Sequence, residues 1–245
     1  MIEPSLSLLV DGDVVTEAIV IDSEGSMLCY PCMKVVSKFV KLLGKLVFEL
    51  IKSDALRIAD SYVIMYLVKH NMATIPLSRN KALILVVDAK FNPEDVVREY
   101  IRIINKLMSV ERSEGGGNVY EDYKSDNLNS SNEERYLRLL SRIGILSREG
   151  LVSTIAIVDR EGKIYPYPRS LSVRKDVINT LLSFHRRFYE VLRYRGLRLS
   201  LNDIDLVLIP LDIASAGSIL LAEVNSKIPT SLLLRRLKVT LYGLT

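Results

Sequence analysis

IVIDSEGSMLCYPC at residues 19–32 and AIVDREGKIYPYPR at residues 156–169 are two versions of one pattern. Each opens on an apolar β-type run, passes through Asp-x-Glu-Gly, and reaches Tyr-Pro after four intervening residues. The first copy reads Asp22-Ser23-Glu24-Gly25 to Tyr30-Pro31, and the second reads Asp159-Arg160-Glu161-Gly162 to Tyr167-Pro168. The offset is 159 − 22 = 137. Asp and Gly are the residues a tight turn between two strands requires, so each stretch predicts a β-hairpin. Working outward, Ile75-Pro76-Leu77 answers to Ile209-Pro210-Leu211 at an offset of 134, and Ile84-Leu85-Val86-Val87-Asp88 answers to Ile219-Leu220-Leu221-Ala222-Glu223 at 135. Three anchors in order predict a duplicated globular unit, because a period this long does not fit a solenoid.

The 245 residues suit two such units, at 1–110 and 133–245, each large enough to bury a core. Between them, ERSEGGGNVYEDYKSDNLNSSNEER (111–135) is rich in Gly, Asn, Ser and acids and lacks apolar periodicity, so residues 111–132 read as a flexible acidic linker. The stretch holds seven acids and three bases, which leaves the rest of the chain at +4 − (−4) = +8. The total of +4 does not by itself imply a nucleic-acid partner. No long uncharged apolar run predicts a membrane span, and Met1-Ile2-Glu3-Pro4 does not read as a secretory signal. Two cysteines and no tryptophan among many Lys, Arg and Glu fit a cytoplasmic protein.

The element order expected for the first unit is as follows. Leu6–Val10 and Val14–Ile21 are extended, and Met27–Tyr30 closes the hairpin. A helix follows from about 33 to 52, with Val40, Leu43, Val47 and Leu50 at helical spacing and Lys38, Lys41 and Lys45 opposite. Three β-like runs (62–69, 72–77 and 82–88) and a helix opened by Pro93 complete it. The second unit adds a leading helix over 133–146, closed by Gly150. After its hairpin come a helix over about 173–195, strands at 205–210 and 218–224, and a last helix after Pro229. Residues 196–203 give no clear signal, so one strand there is short or missing. The predicted class is α+β: two copies of a small antiparallel sheet flanked by helices.

This pattern resembles the roadblock domain and its relative, the longin domain. The resemblance rests on the Asp-x-Glu-Gly hairpin, the long helix, a strand ending in Ile-Pro-Leu, and the following apolar strand and helix. Gly150-Leu151-Val152 looks like the family's Gly-Val before its first strand. The likeness covers about four-fifths of the chain. It implies a non-enzymatic platform that dimerises and acts as scaffold or regulator of a small Ras-like GTPase. Further implied are an intramolecular pseudo-dimer or homodimer, no catalytic residues and no cofactor.

Three local features compete with that reading. Cys29-Tyr30-Pro31-Cys32 is a CxxC, which at a helix start serves thiol-redox chemistry. The matching stretch 166–169 has no cysteine, which favours an incidental or structural pair. The helix over 173–198 carries Arg174, Lys175, Arg186, Arg187, Arg193, Arg195 and Arg198, with Tyr189 and Tyr194 among them. Arg186, Arg187, Tyr189 and Arg193 are the expected partner-binding residues, with nucleic acid as the alternative ligand. Asp22, Glu24, Asp159 and Glu161 read as turn residues rather than acid–base pairs. Two cysteines and two histidines in different units do not make a zinc site, and Gly115-Gly116-Gly117 lacks the Lys-Ser/Thr of a phosphate loop.

Overall fold

The computed structural model of the chain describes residues 6–32, 37–108, 131–201, 204–211 and 217–242. The expected linker therefore lies almost wholly outside the described residues. The class is α+β, and every strand pairing given below is antiparallel. Two compact units are present, Met1–Asn118 with Glu190–Asn202, and Val119–Tyr189 with Asp203–Thr245.

In the first unit, β1 (Val15–Asp22), β2 (Met27–Tyr30), α1 (Ser37–Lys52), β3 (Tyr62–Tyr66), β4 (His70–Ser78), β5 (Lys81–Asp88) and α2 (Pro93–Met108) follow in order. Leu6–Val10 does not form the expected strand. Leu6–Leu9 is a 3-10 turn, which places the apolar side chains of Leu6 and Leu9 three residues apart so that both are buried. The strands run β2-β1-β5-β4-β3. Gly44 of α1 lies against Ile21, where an added Cβ would stand 2.8 Å from Cδ1, so α1 covers the face that Ile21 shares with Ala82 and Pro76. The opposite face carries Ala18, Leu85, Ala73 and Ile64 in register. Glu94 of α2 reaches that face through the contact described below. Helices on both faces explain why β3, β4 and β5 are buried nearly throughout. α1 ends as Asp54 turns left-handed at φ 53°, with Ala55 N–H donating to Leu50 O (2.9 Å) and Asp54 N–H to Ile51 O (3.0 Å).

The second unit holds α3 (Ser131–Ile143), α4 (Ile145–Arg148), β6 (Val152–Val158), β7 (Ile164–Tyr167) and α5 (Lys175–Leu192). β8 (Gly196–Leu201), which belongs to the first unit, comes next in the chain. β9 (Ile204–Leu211), β10 (Ser218–Val224) and α6 (Thr230–Tyr242) complete the second unit. Gly150 closes α4 at φ 71° with the same paired bonds, Leu151 N–H to Leu146 O and Gly150 N–H to Ser147 O. Ile155, Ile157, Val207, Ile209, Leu220 and Ala222 build one core face against Tyr136, Leu140 and Ile143 of α3 and Leu233 and Leu237 of α6.

The two hairpins repeat the same aspartate turn bonds, and Asp159 Oδ2 also accepts the Tyr165 hydroxyl at 3.2 Å. Asp22 Oδ1 accepts the N–H of Glu24 (3.0 Å) and Ser26 (2.8 Å), and Asp159 Oδ1 accepts those of Glu161 (2.9 Å) and Lys163 (2.9 Å). Gly25 and Gly162 sit at φ 89° and 91°, a region that favours glycine. The carboxylates of Asp22 and Asp159 thus serve the turns. Ala18↔Tyr30 becomes Ile155↔Tyr167, and Glu17↔Val86 becomes Thr154↔Glu223, each 137 residues on. Thr16 and Ser153 are the extra residues of matching bulges. The Thr16 hydroxyl donates to Val86 O (3.2 Å) and the Ser153 hydroxyl to Glu223 O (3.3 Å). On the far side of β5 and β10, Ala73↔Leu85 becomes Val207↔Ala222.

These ladders correct one sequence alignment. The offset between β5 and β10 is 137 rather than 135, so Glu223 corresponds to Val86 and not to Asp88. A two-residue slip keeps every side chain on its own face, so the apolar pattern cannot detect it.

The unclear stretch after α5 is a full strand. β8 pairs with β3 in the first unit, as Tyr62↔Ser200, Ile64↔Arg198 and Tyr66↔Gly196.

Candidate functional site

The structure joins Cys29 and Cys32 in a disulfide, with their Cα atoms 5.1 Å apart. Cys29, in β2, is part-exposed, and Cys32, just beyond it, is exposed. The positions 137 residues on are Pro166 and Arg169.

The basic residues after 173 do not act as one set. Arg186 and Arg187 are exposed on α5, and neither has an acid within ion-pair distance among the described residues. Tyr189 is half-buried, its ring 4.8 Å from that of the buried His185. Arg193 lies beyond the helix end and meets Glu190 Oε2 at 2.8 Å, an exposed contact worth at most ~1 kcal/mol. Arg174 pairs with Asp176, and that hydrogen bond holds the Asp176 carboxyl below the usual carboxylate range. Arg198 is not on any basic surface. It belongs to β8, is fully buried, and bonds Glu94. Strand alternation turns it inward where the expected helix would have turned it out.

A second constellation escaped the sequence reading. A cavity of about 340 Å³ opens in the second unit where β6 begins and β10 ends. Gly150, Val152, Ser153, Arg169, Ser172, Ile204, Glu223, Val224 and Asn225 line it. Glu223 is 2% exposed although it lies in the otherwise apolar run of β10. One of its oxygens accepts the Ser172 N–H, and the other lies 3.4 Å from the Ser153 hydroxyl, sharing its hydrogen with the Glu223 carbonyl. Arg169 is exposed, and its Nε donates to Thr154 Oγ1 at 3.1 Å. No cation stands within ion-pair distance of Glu223 among the described residues. A lone acid inside ILLAEV was the available signal, but the slipped alignment paired it with Asp88 at a strand end.

No helix among the described residues is long and apolar enough to cross a membrane. Neither a family model nor a curated protein matches the chain.

Proposed function

We propose that the chain is a non-enzymatic interaction module. Two roadblock/longin-like copies form a pseudo-dimeric platform that scaffolds or regulates a small Ras-like GTPase. The observation that carries this reading is the shared register of β2-β1-β5-β4 and β7-β6-β10-β9, bulge included. In this reading Arg186, Arg187 and Tyr189, with Arg193, contact the partner.

The test presents the full chain to purified Ras-like GTPases of its host, each loaded with GDP or with a non-hydrolysable GTP analogue. Nucleotide-sensitive binding that weakens at least tenfold in Arg186→Glu with Arg187→Glu is expected. Failure of every GTPase to bind in both states would discard the reading.

The exposed disulfide supports a second reading, a thiol-redox protein. In it the disulfide takes two electrons from a substrate dithiol, leaving Cys29 and Cys32 as thiols and the substrate as a disulfide. Titration against glutathione buffers decides this. A pair that stays oxidised across the whole range has no such role.

A further inference from the structure

We propose that the cavity of the second unit is a binding site for a small zwitterion of the α-amino-acid class. Its volume, about 340 Å³, lies at the lower end of small-molecule sites. The walls supply two opposite charges, Glu223 and Arg169. Glu223 is the buried pole. One oxygen accepts the Ser172 N–H, the other shares the single Ser153 hydroxyl hydrogen with the Glu223 carbonyl, and each has room for a further donor. A cation beside a buried carboxylate held only by neutral donors offsets part of its desolvation cost. Arg169 is the exposed pole. Its Nε is used by Thr154, whereas its terminal nitrogens have no protein acceptor among the described residues. Those nitrogens present the fork that matches a carboxylate. Ser153, Ser172 and Asn225 line the same space. An ammonium against Glu223 and a carboxylate against Arg169 satisfy both poles with one ligand.

Comparison with the corresponding positions separates this constellation from what the fold requires. The cross-strand pair contains a carboxylate in both units, Glu17 opposite Val86 and Glu223 opposite Thr154. The arginine occurs once, since position 32 is the disulfide-bonded Cys32. Part of Glu223 serves structure, by fixing the Ser172 N–H ahead of α5. Among the described residues Arg169 has no other bond than the one to Thr154, and it shares one cavity lining with Glu223.

The site does not depend on GTPase binding and is tested separately. Calorimetry on the full chain uses the twenty standard L-amino acids. Each one that binds is compared with its decarboxylated amine and its deaminated acid. At least one amino acid is expected to bind saturably, with both truncated analogues at least tenfold weaker. Arg169→Gln and Glu223→Gln should each weaken binding at least tenfold. Glutamine keeps an acceptor for the Ser172 N–H, and an unchanged melting midpoint in Arg169→Gln shows the fold intact. Overturning results are no saturable binding by any amino acid, an amine or acid that binds as well as its parent, or affinity unchanged in Arg169→Gln.

Discussion

Arg198 of β8 and Glu94 of α2 meet at 3.2 Å, Nη1 to Oε1, with 0% and 1% of their side chains exposed. The arginine arrives from a strand that follows α5, and the acid stands in the first turn of α2, where the helix dipole favours a negative charge. The pair therefore ties a late segment of the chain into the first unit's core.

Removing one partner leaves the other buried without its counter-charge. Arg198→Leu is expected to cost about 3–5 kcal/mol in denaturant unfolding. Arg198→Leu with Glu94→Leu should recover a large part of that loss, because both charges are gone. A double variant as unstable as the single one would show that the pair does not govern this core.

Gly44 is a packing position. Ala at this site gains up to ~1 kcal/mol of helix propensity, but its Cβ would lie 2.8 Å from the Cδ1 of Ile21, which is 2% exposed. Overpacking of this kind costs ~1–3 kcal/mol, so a net loss of about 1 kcal/mol is expected for Gly44→Ala. Ile21→Val removes the clashing methyl. The thermal midpoint of the double variant should then lie above the value that adding the two single effects gives.

Tyr100 links stability to alkaline pH. Its hydroxyl donates to Leu9 O at 2.5 Å. Burial, with the nearby Asp11 charge second, raises its pKa above the ordinary 10.0. A folded pKa above the unfolded one means that the unfolded chain loses its proton first as pH rises. The contribution is thus complete below pH ~10 and is lost as pH climbs through the folded value. Unfolding free energies across this range should fall less steeply for Tyr100→Phe than for the parent. Equal slopes would refute the assignment.

Much of the fold was legible because its punctuation is chemical. Asp22, Gly25, Asp159, Gly162 and Gly150 are demanded by turn geometry, and both hairpins and the end of α4 fall where those residues stand. β8 was not legible. Gly196-Leu197-Arg198-Leu199 follows α5 after Arg193-Tyr194-Arg195, with no Pro or Asn marking the change, and its arginine imitates a solvated helix face. The strand is made by pairing with β3, a contact between residues far apart in sequence. The cavity was hidden for a similar reason. Glu223, Arg169 and Ser153 come from three separate segments, and only the ladder registers show that Glu223 stands opposite Thr154.

The β3–β8 pairing also bears on synthesis at the ribosome. β3 is made 134 residues before the strand that covers its edge. At ~5–20 residues per second, that edge remains open on the nascent chain for on the order of ten seconds. Through that interval Tyr62–Tyr66, an apolar strand buried at every position in the finished molecule, is a template for pairing with a neighbouring nascent chain. The order in which this protein is translated therefore sets how long that edge stays open, and β8 closes it.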